Sequence, residues 1–105
     1  MIERVVLIKL KPAYATDEQR AAIAAATAKT LPRAEGVRAL RIGTPADPRT
    51  RRDWDLCLQV VLDDVDAVER YRVDPVHRAY ADDYLAPLRE RIHVFNFERF
   101  EPPGG

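Results

Sequence analysis

The sequence predicts an α+β domain in which a four-stranded antiparallel sheet is covered by helices on one face. Three observations lead to this prediction. The predicted segments follow the order β-α-β-β-α-β. The 105 residues suffice for one hydrophobic core and no second domain. Two of the predicted strands are apolar on both faces. We expect residues 1–101 to form this domain and residues 102–105 to form a flexible tail.

The first half of the chain is predicted to form a strand, a capped helix and a second strand. Arg4–Leu10 is rich in β-branched residues, which favour strands. Thr16-Asp-Glu-Gln19 is a capping box, and the alanine-rich helix that it starts should stop at Leu31-Pro32. The second strand is Val37–Ile42. Gly43–Thr50, with two prolines and a glycine, predicts a long, turn-rich connection to the third strand.

The second half adds a strand, a helix in two pieces and a final strand: Trp54–Leu62, Val65–Arg72, Pro75–Leu88 and Arg91–Phe97. Asp63 or Asp64 can cap the first helical piece. Asp74 at the N-cap followed by Pro75 at the first helical position starts the second piece. The complete order is ferredoxin-like with a broken second helix.

The sheet of such a domain leaves one face without helices. The first and third strands nonetheless carry apolar side chains on both faces. An exposed apolar patch of several hundred Å² is more than a monomer normally shows. We therefore expect a homodimer in which the two open sheet faces pack together about a two-fold axis.

Composition excludes several classes of partner and cofactor. The 17 basic and 17 acidic residues cancel and form no basic patch, so neither nucleic acid nor an anionic membrane is an expected partner. Val5–Ile8 is too short for a signal peptide or membrane span, so we expect a cytoplasmic protein. Two histidines and one cysteine on different elements lack metal-ligand spacing, and the four glycines form no phosphate loop. No metal or organic cofactor is expected.

Tyr71 and His77 flank the break in the second helix and suggest a site for proton transfer. His77 lies in the first helical turn after the break, where the backbone N–H dipoles should lower its pKa. Helical spacing places it on one inward face with Tyr80 and Tyr84. A neutral imidazole can take a proton while a phenol donates to a carbonyl. The structural alternative is a core histidine bonded to a backbone carbonyl, next to a core tyrosine.

Two further residues have open roles. Asp74 can cap the helix or contact the His77 ring. Arg4 is polar in an apolar strand, so it can pair with a substrate carboxylate or extend its charged end to the surface. We predict His77 and Tyr71 as catalytic residues, and the predicted substrate-binding residues are Arg4, Val6, Ile8, Tyr80 and Tyr84.

Several segments together resemble a known family. They are Arg4–Lys11, Glu35–Val37, Trp54–Leu56, Tyr71–His77 and Val94–Glu98. The most specific is Tyr-x-x-x-Pro-x-His, from Tyr71 to His77. With these segments the chain resembles the stress-responsive dimeric α/β barrel, or Dabb, domain family over nearly its whole length.

The resemblance implies a ferredoxin-like subunit and a barrel-shaped homodimer. Some plant members are polyketide cyclases of the olivetolic acid type, which close a ring by cofactor-free aldol condensation. In those cyclases the residues matching Tyr71 and His77 are the catalytic pair, with histidine as the base. Many other members are small stress-associated proteins of no known activity.

This chain departs from the family at two positions. The family commonly has histidine where this chain has Arg4, and His-Pro where it has Asp74-Pro75. Two fewer imidazoles imply another substrate, a guanidinium–carboxylate contact, or no catalysis. We predict a homodimer that binds a small, apolar, oxygenated molecule and closes a ring after proton abstraction α to a carbonyl. The alternatives are a non-catalytic stress-response or ligand-binding dimer and a cofactor-independent monooxygenase on the same barrel.

Overall fold

One four-stranded antiparallel sheet forms the centre of the domain. A computed structural model describes residues 1–104. The strands are β1 (Ile2–Leu10), β2 (Ala39–Gly43), β3 (Leu56–Leu62) and β4 (Arg89–Glu98). Their order across the sheet is β2-β3-β1-β4, and every neighbouring pair is antiparallel. This confirms the sheet that the sequence predicts, with the two apolar strands at its centre.

Four α-helices and a π-helical segment connect the strands. They are α1 (Asp17–Thr30), α2 (Pro48–Asp53), α3 (Val65–Val73), α4 (Pro75–Arg78) and the π-helical segment Ala79–Leu85. The predicted capping box is present, since the Thr16 hydroxyl accepts a hydrogen bond of 3.1 Å from the Gln19 N–H. The break between the two pieces of the second helix also lies where it is predicted, between Val73 and Pro75.

The predicted turn-rich connection between β2 and β3, Gly43–Thr50, is wrong in part, because α2 begins within it. The Asp47 carboxylate accepts a 2.7 Å hydrogen bond from the Thr50 N–H, and Pro48 occupies the first turn. A capping carboxylate followed by proline favours a helical start, so the same residues that mark a turn here begin a short exposed helix.

The predicted regular helix from Pro75 to Leu88 is also wrong beyond Arg78. The Ala86 N–H donates to the Ala81 carbonyl at 3.0 Å, which is the five-residue step of a π-helix. The wider winding buries Tyr80 and Leu85 together, whereas Tyr84 remains 37% exposed. Tyr84 therefore does not share the inward face predicted for it from α-helical spacing.

Strand alternation divides the sheet into a covered face and an open face. On β1 the even-numbered residues, from Ile2 to Leu10, are buried against the helices. The odd-numbered residues point to the open face, where Val5 lies opposite Phe95 and Leu7 opposite His93. Phe95 and Phe97 are 47% and 57% exposed there. The middle of the open face is thus apolar, as the sequence predicts, and α2 lies at one end of this face, where Lys9 Nζ donates to the Arg51 carbonyl.

A buried ion pair joins the sheet to α1. Asp55 is fully buried; its carboxylate accepts 2.9 Å and 2.8 Å hydrogen bonds from Arg20 Nε and the Leu10 N–H. Lys9 Nζ lies 3.5 Å from the same carboxylate. Asp55 therefore holds together the end of β1, the beginning of β3 and the first turn of α1. In residues 1–104 no helix is both long and apolar enough to span a membrane.

Candidate active site

A small apolar cleft lies between the covered face of the sheet and the broken helix. Its volume is about 50 Å³. Its polar lining consists of Arg4, Tyr71, His77 and Tyr80, and its apolar lining includes Val6, Leu31, Leu58, Leu85, Ile92 and Val94. The fold thus brings together both predicted catalytic residues and three of the five predicted substrate-binding residues.

The remaining two predicted substrate-binding residues lie elsewhere. Ile8 is fully buried in the core cluster around Leu10 and Ile23 and does not line the cleft. Tyr84 packs against Tyr80, with ring centroids 5.8 Å apart, and also lies outside the cleft lining. Tyr84 lies outside the cleft because the π-helical winding places Leu85 where α-helical spacing would place Tyr84.

The break in the second helix positions His77. Asp74 has extended backbone angles, and its carboxylate accepts hydrogen bonds of 3.0 Å from the Val76 N–H and 3.4 Å from the His77 N–H. Pro75 has no N–H to satisfy. Asp74 is therefore the helix cap that the sequence predicts, and its carboxylate is occupied by the backbone.

His77 is held in one tautomer at the side of the cleft. Its Nδ1 lies 3.0 Å from the Arg72 carbonyl oxygen, which can only accept, so Nδ1 carries the proton. In the neutral ring Nε2 is then an unprotonated acceptor. Burial lowers the pKa of His77 below its ordinary 6.5, although the bond to the Arg72 carbonyl opposes this. At neutral pH the imidazole is a free base.

Tyr71 packs directly against that base. The two ring centroids are 4.4 Å apart. The tyrosine is 2% exposed, and burial raises the pKa of its hydroxyl well above the ordinary value of 10. Within residues 1–104 no protein group forms a hydrogen bond with this hydroxyl. No side-chain polar atom there is both fully enclosed and unpaired, so the Tyr71 hydroxyl oxygen keeps some accessible surface. The Tyr71 hydroxyl is therefore a protonated donor that is free to bind a molecule in the cleft.

Tyr80 has a different environment. Its hydroxyl lies 2.6 Å from the hydroxyl of Thr27, which in turn donates to the Ile23 carbonyl at 2.7 Å. Burial raises the pKa of Tyr80 to about 12. The sequence carries no signal for the pairing of Thr27 with a tyrosine 53 residues away.

A second hollow, of about 120 Å³, lies at the open face of the sheet. Leu7, Trp54, Asp55 and Cys57 are among the residues around it. The Asp55 carboxylate is ion-paired with Arg20. Burial raises the pKa of the Cys57 thiol, so this thiol stays protonated. This hollow is larger than the cleft but offers no free base. Within residues 1–104 no three His, Cys, Asp or Glu side chains cluster in a way that could hold a metal ion.

Comparison with protein families agrees with this architecture. The model of the stress responsive A/B barrel domain, Dabb, matches residues 2–99. The chain belongs to the Dabb family. The predicted membership and ferredoxin-like fold are both confirmed. The comparison with curated proteins gives no significant match for this Dabb protein.

Solved structures with the same fold cover almost the whole chain. A Dabb family protein with a ferredoxin-like fold from Mesorhizobium loti is 22% identical, with a TM-score of 0.78 over 95% of this chain and 97% of the other. A dimeric ferredoxin-like protein of unknown function from Thermobifida fusca is 24% identical, with a TM-score of 0.75 over 91% and 88%. A hydroxynitrile lyase from Passiflora edulis is 17% identical, with a TM-score of 0.75 over 96% of both chains. At these identities the likeness shows the fold.

Proposed function

We propose that this Dabb protein is a cofactor-independent enzyme that abstracts a proton from the carbon α to a carbonyl and closes a ring by an aldol-type reaction. The observation that carries this proposal is the oriented, neutral imidazole of His77 beside an unpaired tyrosine hydroxyl in an apolar cleft. A base and a hydrogen-bond donor that face one cavity are the two groups that enolate chemistry requires.

The proton moves first. Nε2 of His77 takes a proton from the α carbon, and the electron pair of the broken C–H bond forms the enolate. The Tyr71 hydroxyl donates to the enolate oxygen, where negative charge develops. The enolate carbon then attacks a second carbonyl of the same molecule, and the resulting alkoxide takes the proton back from the His77 imidazolium. The chemistry balances without an oxidant or a reductant.

Fold-level similarity gives weaker support. The structural neighbour from Passiflora edulis is named as a hydroxynitrile lyase, so this fold accommodates lyase chemistry in at least one protein. That protein is only 17% identical to this chain, so a hydroxynitrile is the second test compound and a linear oxo thioester is the first.

The proposal is tested by turnover without cofactors. Purified protein in buffer with EDTA is incubated with linear 3,5-dioxo acyl thioesters and, separately, with mandelonitrile. We expect the protein to accelerate loss of the linear thioester and formation of a ring-closed product, detected by absorbance and mass. Equal rates with and without protein for all linear thioesters would contradict ring closure. Release of cyanide from mandelonitrile alone would reassign the same base to cyanohydrin cleavage.

Tyr71→Phe is expected to lower kcat of ring closure by about a hundredfold with little change in KM. Removing one donor to a developing oxyanion typically costs this much. The phenyl ring keeps the packing against His77, so the base should stay in place. Steady-state kinetics of both proteins measure the effect. A kcat within twofold of wild type would remove Tyr71 from the reaction.

We also propose that the functional unit is a homodimer joined through the open sheet face. Three solved neighbours, including the one from Thermobifida fusca, are described as dimeric ferredoxin-like proteins. The open face exposes Phe95 and Phe97 and has Val5 and Leu7 at its centre, on the middle strand pair. A second copy of this apolar face is a partner of matching polarity, and a two-fold axis would bring the two copies of the face together.

Leu7→Glu is expected to convert the dimer to a monomer. A two-fold axis near the sheet centre would bring two buried carboxylates close together, and like charges in an interface cost several kcal/mol, or about a thousandfold or more in the dimer dissociation constant. Sedimentation velocity at micromolar concentrations measures the change. Ala25→Glu, on the exposed side of α1, is the matched control and should remain dimeric. A wild-type monomer, or a dimeric Leu7→Glu protein, would contradict the interface.

A further inference from the structure

We infer that the substrate of the cleft is a short dioxo acid and that Arg4 binds its carboxylate. The inference deepens the proposed function, on which it rests for the reaction but not for the binding. The Arg4 side chain lines the cleft, and the residue is 9% exposed. Most of this side chain is therefore packed inside the fold and does not extend across the surface.

Arg4 lacks an anionic partner. Of the five N–H donors of its guanidinium, one is directed at the Asn96 side-chain oxygen at 3.0 Å. Within residues 1–104 no carboxylate lies within 4 Å of it. Burial lowers the pKa of Arg4 because the charged form has lost its hydration. A buried cation in this state is stabilised by any anion that enters the cleft.

The other buried arginine, Arg20, has a structural role, and its guanidinium is paired with carboxylates. Arg20 is 5% exposed, and it is paired with Asp55 and Asp17 at 2.9 Å each. Two carboxylates thus pair with the guanidinium that joins α1 to the sheet, whereas none within residues 1–104 pairs with the guanidinium in the cleft. Glu69 acts on Arg4 only from a distance and is itself paired with Arg72 at 2.8 Å. The difference indicates that the anion for Arg4 comes from a ligand.

Tyr71 and Asn96 fix the orientation of the Arg4 guanidinium, which suits a planar anion. Its central carbon lies 5.9 Å from the centroid of the Tyr71 ring, and Asn96 fixes one edge. Arg4 Nε and Nη2 make no hydrogen bond within residues 1–104 and are not fully enclosed, since no enclosed side-chain nitrogen there lacks a partner. Arg4 lines the cleft, so these N–H groups are available to a ligand that enters it. A fork of parallel N–H groups matches the two oxygens of a carboxylate.

The size of the cleft limits the length of the acid. Arg4 and His77 line the same space of about 50 Å³, and the positive charge of Arg4 is one of the groups that lower the pKa of His77. Because Arg4 and His77 line one space of this size, an acid held by Arg4 can present to His77 only a carbon close to its own carboxylate. This spacing favours a short dioxo acid, with any longer apolar chain leaving past Val94, which is 39% exposed.

The inference is tested by comparing an acid with its neutral analogues. Binding of 4-oxopentanoate, its methyl ester and 2-pentanone to the wild-type protein is measured by amide chemical-shift titration. We expect the acid to bind about tenfold or more tightly than either neutral compound, since a hydrogen-bonded charge pair commonly contributes this much. Equal affinity for the acid and the ester would overturn the inference without any variant.

Variants identify the residue responsible. Arg4→Gln should abolish the preference for the acid and leave the affinity for the ester unchanged. Arg4→Lys, which keeps the charge but loses the fork, should retain a reduced preference and serves if the glutamine variant does not fold. Arg38→Gln, at an exposed arginine paired with Asp63, is the matched control and should bind as wild type does. A preference that persists undiminished in Arg4→Gln and Arg4→Lys would place the anion site elsewhere.

Repeating the titration with His77→Asn separates this inference from the proposed function. Acid binding that is retained in this variant and lost in Arg4→Gln supports the carboxylate site whether or not any substrate is turned over. Turnover of neutral thioesters without a preference for acids would overturn the carboxylate site and leave the proposed reaction standing.

Discussion

Replacing His77 by asparagine is expected to lower kcat/KM for ring closure by about 10²–10⁴-fold, the usual contribution of a general base. Asparagine keeps a side-chain N–H that can donate to the Arg72 carbonyl, which the imidazole Nδ1 does now. The fold should therefore be preserved while the acceptor Nε2 is lost. Steady-state kinetics together with the thermal midpoint measure both effects.

The control for this substitution is His93→Asn, at the only other histidine of the chain. His93 lies on the open sheet face against Trp54 and Phe95, far from the cleft lining. At matched protein concentrations, its kcat/KM should equal that of wild type. If the two variants were equally active, His77 would not be the base.

The pH dependence of the same reaction follows from the environments of His77 and Tyr71. The active imidazole is the neutral form, and burial lowers its pKa below 6.5, so kcat/KM should rise with pH and level off below neutrality. The active tyrosine is the protonated form, and burial raises its pKa above 10, so the plateau should persist past that pH. A fall in rate between pH 7 and 9 would contradict this pairing of roles.

Replacing Asp55 by alanine is expected to lower the free energy of unfolding by about 3–5 kcal/mol, the cost of leaving one partner of a buried ion pair uncompensated. The variant leaves Arg20 buried without its inner carboxylate and removes the acceptor of the Leu10 N–H. Urea denaturation followed by circular dichroism measures the change, with the midpoint as the primary readout.

Two further proteins make this measurement specific. Asp63→Asn removes an exposed carboxylate that is paired with Arg38, and its midpoint should be close to that of wild type because exposed pairs are screened by solvent. In the double variant Arg20→Leu with Asp55→Ala, the loss should be smaller than the sum of the two single losses, because no charge is left buried. Additive losses would show that Asp55 acts without Arg20.

Local signals in the sequence predicted most of the fold. The capping box at Thr16 and the Asp74-Pro75 pair each involve residues at most three positions apart, and both act as predicted. Alternating burial along β1 and the apolar open face likewise follow from side-chain spacing within single strands. These features depend on short-range geometry, which a sequence displays directly.

Other features depended on contacts between distant residues or on small energy differences. Leu85 and not Tyr84 lines the cleft because the last part of the second helix winds as a π-helix, and no residue there marks that choice. Asp55 gave no sign of its role because its partners Arg20 and Leu10 are 35 and 45 residues away. The short helix at Pro48 differs from these cases, because its start is local: Asp47 accepts from the Thr50 N–H three residues away, the same Asp-Pro pattern as at Asp74.

By itself, then, the sequence determined the order of the elements, the position of the helix break and the presence of a phenol and an imidazole on either side of it. Only the tertiary structure decided what surrounds them. Among residues 1–104 it left the Tyr71 hydroxyl without a hydrogen-bond partner and buried Arg4 without a carboxylate within 4 Å. The physical reason is that helix caps and strand patterns arise from neighbouring residues, whereas burial and pairing of charges arise only when the sheet and helices close over one another.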